Sequence, residues 1–111
     1  MKTIKIAVNG YGVIGKRVAE AVLLQDDMEL VGIGDVAADW RIKVAATKGY
    51  RIFANSAEGR KAMENEKIIV AGDLNDLLEA ADVVVDCAPK KFGAQNAERY
   101  KAAGVKYIVQ G

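Results

Sequence analysis

Short apolar runs alternate along this chain with longer stretches of helical periodicity. Residues 4–8 form a β-branched run that fits a buried parallel strand, and glycines follow it. From residue 13 to about residue 25, apolar side chains recur at helical spacing, which predicts an amphipathic helix with one buried stripe. A second apolar run, residues 28–34, predicts the next strand. The chain therefore begins as strand, helix and strand.

The same alternation continues to the end of the chain. Asp39, Ser56 and Asp73 precede helical patterns and are the expected N-caps of three further helices. Gly49 is expected to end the first of these, and Gly104 to end a last helix over residues 90–104. Apolar runs predict four more strands, at residues 51–54, 67–72, 82–88 and 105–111.

Apolar strands joined through helices predict a parallel sheet with helices on both faces. Right-handed crossovers then give an α/β fold with a doubly wound, mostly parallel sheet. With 111 residues, of which 51% are hydrophobic, the chain is expected to fold as a single domain, residues 1–111. Such sheets bind ligands beyond the carboxyl ends of their strands, so the candidate site is expected there.

The charge balance limits the kinds of partner. Sixteen Lys and Arg residues face fifteen Asp and Glu residues, whereas a nucleic-acid-binding domain normally has a basic excess on one face. The apolar run at the N-terminus is too short for a signal peptide or a membrane span. We therefore expect no nucleic acid, no membrane and a cytoplasmic protein, which a single cysteine also suits.

Few residues of this composition are suited to catalysis. The sequence has no histidine, the commonest general base and metal ligand. Its one cysteine, Cys87, has no disulfide partner and no metal-ligand spacing around it. Because Cys87 closes an apolar strand, where thiols are usually inert, we expect no catalytic residue and no metal site.

Residues 10–15 match the G-x-G-x-x-G pattern between a predicted strand and a predicted helix. Gly10 would allow a sharp turn, Gly12 would let a pyrophosphate approach the backbone, and Gly15 would let the helix lie close to the strand. The backbone N–H groups of Val13 and Ile14 are the expected donors to the pyrophosphate, because they lie at the start of the helix. The pattern thus predicts a dinucleotide-binding turn.

An acidic residue follows at the expected distance. Asp35 lies at the end of the second predicted strand, twenty residues after Gly15, where a carboxylate accepts hydrogen bonds from the adenosine ribose. It would repel a 2′-phosphate, so NAD is favoured over NADP. Tyr11 is also assigned to the cofactor site, with a ring expected to shield the glycine turn. The alternative is a structural turn beside an ordinary loop aspartate.

Four segments together resemble one family. "VNGYGVIGKRVAEAV", "LQDDMELVG", "DVVVDCAPKKFGAQN" and "YIVQG" are similar, in matching order, to the N-terminal domain of archaeal-type phosphorylating glyceraldehyde-3-phosphate dehydrogenase. The resemblance implies a Rossmann fold that binds NAD or NADP. It also implies cofactor contacts near the ribose and nicotinamide half, at Ala88, Pro89, Lys90, Gln110 and Gly111.

The chain departs from that family in two respects. Family members often carry Thr or Lys just after the second strand, which goes with NADP use, whereas this chain has Asp35. The family's catalytic cysteine, in a "Ser-Cys-Asn-Thr-Thr" type segment, would lie beyond Gly111. We therefore expect this chain to bind a dinucleotide and, without the catalytic domain, to catalyse nothing.

The alternative is a free-standing Rossmann-type regulatory or interaction module without catalytic activity. Such a module would need a sealed surface, whereas in a truncated domain an exposed apolar surface and a free sheet edge are expected, which would favour homo-oligomers. Three further residues have structural interpretations. Trp40 is expected to be a partly buried packing residue, or alternatively a cover near the adenine. Asp82 and Asp86 flank an apolar run and are expected to cap or to face solvent.

Overall fold

The computed structural model describes residues 3–89 and 92–110 of the chain. Lys90 and Gly111, two of the predicted cofactor residues, lie outside the described residues. The strands are β1 Ile4–Asn9, β2 Met28–Asp35, β3 Ile52–Ala54, β4 Val70–Asp73, β5 Val83–Asp86 and β6 Lys106–Val109. The helices are α1 Val13–Leu23, α2 Trp40–Thr47, α3 Ala57–Asn65, α4 Leu74–Ala80 and α5 Gly93–Ala103.

Within the described residues the six strands form one sheet in the order β4-β3-β2-β1-β5-β6. Every neighbouring pair is parallel. The chain builds outward from β1 to β4 and then returns to the other side of β1 with β5, so the winding direction reverses between β1 and β5. The predicted α/β, doubly wound parallel sheet is confirmed, and this reversal is where ligands of such sheets bind.

Both faces of the sheet are buried. Ala7 and Val8 are adjacent on β1 and fully buried, yet they belong to different hydrophobic clusters, because successive strand residues point to opposite faces. One cluster includes residues of α1, α2 and α3, and the other includes residues of α4 and α5. Burial on two faces explains why the strands are continuous apolar runs rather than alternating ones.

The predicted N-caps are present in the structure, whereas α2 has Lys48 as its C-cap, one residue before the predicted Gly49. The Asp39 carboxylate accepts hydrogen bonds from two backbone N–H groups of α2, and Ser56 Oγ accepts one from Gly59 N at 3.0 Å. Asp73 and Asp76 form a reciprocal capping box at the start of α4. Gly104 has a φ of 70° and ends α5.

The outer edge of β6 bears no further strand in the described part of the chain. Ile108 and Val109 of β6 are 53% and 41% exposed. The expected apolar surface at a free sheet edge is therefore present. No helix among the described residues is long and apolar enough to cross a membrane.

Candidate functional site

Two glycines of the turn are required by close packing. Gly10 has a φ of +98°, and a Cβ at this position would lie 2.7 Å from the backbone nitrogen of Ala88. A Cβ on Gly15 would lie 2.0 Å from the carbonyl oxygen of Gly10, so α1 could not approach the turn as closely with any other residue. These two positions bring the end of β1, the start of α1 and the segment after β5 into contact.

Gly12 differs from them because the protein itself leaves room for a side chain. A Cβ there would meet no heavy atom of residues 3–89 and 92–110 within 4 Å. Gly12 is the N-cap of α1 and has an extended backbone, with no side-chain capping bond. Val13 and Ile14, the first residues of the helix, are 57% and 52% exposed. The amino end of α1 thus faces an open space in which an anion could accept backbone hydrogen bonds.

The carboxylate of Asp35 is bound to the backbone on two sides. Its Oδ2 accepts a hydrogen bond from Tyr11 N at 2.7 Å, and its Oδ1 accepts bonds from Val36 N at 2.7 Å and Ala37 N at 3.0 Å. Asp35 therefore fixes the glycine turn against the end of β2. An ionised carboxylate has about four acceptor positions, so one remains for a ligand donor.

A cleft of about 480 Å³ lies over the carboxyl ends of the strands. Six of the predicted cofactor residues line it: Gly10, Tyr11, Gly12, Asp35, Ala88 and Pro89. Val13 lines a neighbouring groove instead. Ile14 and Gly15 follow it in the first turn of α1, and neither lines the cleft. Gln110 also lies outside the cleft lining, and its backbone N–H donates to Asp86 O at 2.8 Å.

The neighbouring groove, of about 300 Å³, runs between α1 and α2. Lys16, Arg17 and Arg41 line it, and Arg41 lines the cleft as well. None of the three makes an ion pair within the described residues. The groove is therefore cationic, with Glu20 the acidic residue of its lining, and it shares Tyr11, Gly12 and Arg41 with the lining of the cleft.

Trp40 also lines this groove, and its predicted partial burial is wrong. Its side chain is 66% exposed, with the Arg41 guanidinium 5.6 Å from the ring centroid. The reason is its position: Trp40 begins α2, and the buried face of that helix is formed by Ile42 and Ala45. The sequence pattern did not show which face of α2 meets the sheet.

The ring of Tyr11 lies in the hydrophobic core. It is 3% exposed and packs edge-on against Tyr50, with ring centroids 6.4 Å apart. Burial raises the pKa of Tyr11, and its hydroxyl has no hydrogen-bond partner in the described residues. The polar contact that Tyr11 makes at the cleft comes from its backbone N–H, which donates to Asp35.

Asp86 does not face solvent, which corrects one of the two expectations for it. The side chain is fully buried at the end of β5, and its Oδ1 accepts a bond from Ala88 N at 2.9 Å. Its Oδ2 accepts bonds from the Tyr100 hydroxyl and from Asn96 Nδ2. Asp82, by contrast, is exposed and accepts a bond from Lys5 N at 2.9 Å.

Sequence reasoning missed the polar residues that accompany Asp86. Asn9, at the end of β1, is fully buried and donates from Nδ2 to the Tyr100 hydroxyl at 2.7 Å. Asn55 Nδ2 donates to Asn9 Oδ1 at 2.5 Å. The available signal was that Asn9 and Asp86 are polar residues closing two apolar strands.

Cys87 lines the cleft and is half-buried. Burial, and to a lesser extent the carboxylate of Asp86, together raise the pKa of its thiol to about 11. The neutral thiol is a poor nucleophile at pH 7, in line with the inert role expected from the sequence. The described residues contain no group of side chains suited to a metal ion.

A glycine turn, an uncapped helix start and a strand-end acid at the reversal point of a parallel sheet define a Rossmann-type dinucleotide-binding domain. The fold is similar to scyllo-inositol dehydrogenase from Lactobacillus casei, with a TM-score of 0.72 and 22% identity over 99% of this chain and 28% of that one. It is also similar to GenD2 from gentamicin A biosynthesis, solved in complex with NAD, with a TM-score of 0.72, 20% identity and coverage of 98% and 27%. These likenesses concern the fold.

Sequence comparison identifies the family. Residues 4–110 match the family described as glyceraldehyde 3-phosphate dehydrogenase, NAD binding domain, and the chain belongs to it. It is 49% identical over 111 residues to glyceraldehyde-3-phosphate dehydrogenase of Methanococcoides burtonii, covering 100% of this chain and 33% of that protein. The enzyme of the same name from Archaeoglobus fulgidus is 48% identical over 112 residues, with coverage of 100% and 33%. The resemblance stated from the sequence is confirmed, and the chain spans about a third of the length of these relatives.

Proposed function

We propose that this domain holds NAD across the carboxyl edge of its sheet, with the pyrophosphate at Gly12. The observation that carries the proposal is the open space at Gly12: no atom of the described residues would obstruct a side chain there, so a glycine leaves this space free for a ligand. A pyrophosphate in that space would accept hydrogen bonds from the backbone N–H groups of Val13 and Ile14, aided by the dipole of α1.

The two ends of the cofactor would lie on either side of this turn. The adenosine ribose would donate to the remaining acceptor position of Asp35. The nicotinamide half would extend towards Ala88 and Pro89, which line the same cleft. Lys90, Gln110 and Gly111 belong to this half by the family resemblance.

The choice between NAD and NADP involves opposing charges. Asp35 repels a 2′-phosphate and favours NAD. Lys16, Arg17 and Arg41 supply positive charge in the adjoining groove, which is the observation in favour of NADP. We propose that NAD is preferred, because the Asp35 carboxylate adjoins the expected ribose position, whereas Lys16 and Arg17 line the groove and not the cleft.

Within a full-length enzyme, the domain would serve the oxidation of glyceraldehyde 3-phosphate with phosphate in the cytoplasm. The bound dinucleotide supplies a hydride acceptor for this reaction. The residues of this chain bind and orient it, and we propose that the chain alone is inactive, because the only cysteine in its sequence is a thiol of raised pKa with no histidine to activate it.

Isothermal titration calorimetry with NAD, NADH and NADPH tests the binding proposal. We expect NAD and NADH to bind, and NADPH to bind more weakly. If none of the three binds at millimolar concentration, the proposal is overturned. In Asp35→Asn and Asp35→Thr the preference should move towards NADPH, and an unchanged preference would remove Asp35 as its determinant.

Arg41→Ala tests the contribution of the groove. It should weaken NADPH binding more than NAD binding if a 2′-phosphate enters the groove. Arg51→Ala is a matched control, because Arg51 packs over Phe53, 5.3 Å from the ring centroid, and lines neither the cleft nor the groove. Equal effects of the two variants on NADPH would exclude the groove from cofactor choice.

A free-standing interaction module is the second candidate, and the exposed edge of β6 is the observation in its favour. Such a module would self-associate through that edge. Analytical ultracentrifugation distinguishes the two functions when combined with the titration: a dimer that binds no dinucleotide supports the module, and a chain that binds NAD supports the cofactor domain.

A further inference from the structure

A chain of buried polar groups runs beneath the cleft, from the segment after β5 to the end of β2. Asp86 accepts from the Tyr100 hydroxyl, and the oxygen of that hydroxyl accepts from Asn9 Nδ2. Asn9 Oδ1 accepts from Asn55 Nδ2, and the backbone N–H of Asn55 donates to the carbonyl oxygen of Asp35 at 3.0 Å. The network thus joins four strand ends across the site.

One end of this network determines where the backbone after β5 lies. Asp86 Oδ1 holds the backbone nitrogen of Ala88, and the carbonyl oxygen of Asn9 accepts from Cys87 N at 2.7 Å. These bonds keep the segment so close to Gly10 that a Cβ on that glycine would collide with it. Gly10 and Ala88 both line the cleft, so a small shift of Ala88 would also change the distance between these two parts of its lining.

The carboxylate of Asp86 makes no ion pair with a basic side chain of the described residues. A buried carboxylate is destabilising unless hydrogen bonds replace its lost hydration, and here three donors do so. An apolar residue at this position would avoid that cost but would leave Ala88 N–H without its acceptor. The hydrogen bonds of Asp86 thus hold this segment in a defined position, although an apolar side chain would avoid the unfavourable burial of a carboxylate.

We propose that Asp86 is a positioning residue for cofactor binding, which holds Ala88 and Pro89 against the nicotinamide half of the dinucleotide. Tyr100 and Asn96 act through it by fixing its Oδ2. This inference rests on the proposed function, since it assumes that a dinucleotide occupies the cleft. It adds that Asp86, Tyr100 and Asn96, which lie outside the glycine motif, determine affinity for the nicotinamide half of the dinucleotide.

The test compares NAD with ADP, which has the adenosine and pyrophosphate but lacks the second ribose and the nicotinamide. In Asp86→Asn, an NH2 group replaces one carboxylate oxygen while all three donors still point at the side chain, so at least one of them faces another donor. We expect NAD affinity to fall about tenfold and ADP affinity to change less than about twofold. A purely structural role would lower both affinities together.

Tyr100→Phe and Asn96→Ala are milder variants that decide the question if Asp86→Asn fails to fold. Each removes one donor to Asp86 Oδ2 and should weaken NAD binding by about threefold, with ADP binding retained. Tyr107→Phe is the matched control: its ring lies 5.5 Å from that of Tyr100, and its hydroxyl makes no hydrogen bond within the described part of the chain.

The outcomes separate the two proposals. Wild-type protein that binds neither NAD nor ADP overturns the proposed function and this inference with it. Wild-type protein that binds both, with folded variants that keep the wild-type ratio of NAD to ADP affinity, overturns the positioning role alone. A selective loss of NAD affinity in the three variants, absent in Tyr107→Phe, supports it.

Discussion

Asp35 Oδ2 accepts a hydrogen bond from the backbone nitrogen of Tyr11 at 2.7 Å, across 24 residues of sequence. The acid expected to recognise a ribose is therefore also a structural link between β2 and the glycine turn. With Val36 and Ala37 as its other donors, Asp35 replaces three hydrogen bonds that these backbone groups would otherwise make to water. Its two roles have separate experimental consequences.

Replacing Asp35 with alanine should destabilise the fold as well as alter ligand choice. Removal of the shared acceptor leaves part-buried N–H groups unpaired, and we expect the free energy of unfolding to fall by about 1–3 kcal/mol. Urea denaturation measures this change. Asp82→Ala is the control, because its exposed carboxylate accepts a single backbone bond, and it should lose less. Equal losses in both variants would contradict a structural link at Asp35.

Gly12→Ala should separate binding from folding. The new methyl group has no atom of the described chain within 4 Å, and alanine tolerates the extended backbone at Gly12. We therefore expect stability to change by less than about 0.5 kcal/mol. NAD affinity should fall at least about tenfold, because the methyl group occupies the space proposed for the pyrophosphate. Calorimetry on the folded variant measures the loss, and unchanged affinity would place the pyrophosphate elsewhere.

Gly15→Ala should have the opposite effect. Its Cβ would lie 2.0 Å from the carbonyl oxygen of Gly10, a backbone atom that cannot rotate away. The helix α1 would have to move off the turn, and we expect a destabilisation of about 3 kcal/mol or more. Thermal or urea unfolding measures it beside Gly12→Ala. A stability equal to that of Gly12→Ala would mean that α1 does not pack this closely on the turn.

Cys87 should react slowly with alkylating reagents at neutral pH. Its pKa is raised to about 11 by burial and by Asp86, and the thiolate is the reactive form. The rate of iodoacetamide modification should therefore rise about tenfold per pH unit between pH 7.5 and 9.5. Mass spectrometry is unambiguous, because the sequence contains one cysteine. A rate that levels off near pH 8 would contradict the raised pKa.

Saturating NAD provides a second measurement on the same thiol. Cys87 lines the cleft, so a bound dinucleotide should lower the rate of modification at a fixed pH. Protection of the thiol by bound NAD depends on ligand concentration, whereas the pKa of the free thiol does not. The two effects on the rate can therefore be distinguished. Equal rates with and without a ligand known to bind would show that the occupied part of the cleft does not cover Cys87.

The sequence by itself determined the elements and the turn. Continuous apolar runs predict buried parallel strands, and the predicted caps Asp39, Ser56 and Asp73 act on backbone groups within a few residues. The glycine spacing and Asp35 form a local pattern within one strand–helix–strand unit. These features depend on neighbouring residues, so they could be predicted before any tertiary contact was known.

Only the tertiary structure decided the burial of Asp86 and the exposure of Trp40. Asn9 and Tyr100 are 91 residues apart in sequence, and their hydrogen bond exists because α5 packs beside the carboxyl ends of β1 and β5. Trp40 is exposed because the face of α2 that packs on the sheet is set by contacts with other elements. Burial and long-range hydrogen bonds depend on which elements become neighbours, and local patterns of hydrophobicity do not specify this.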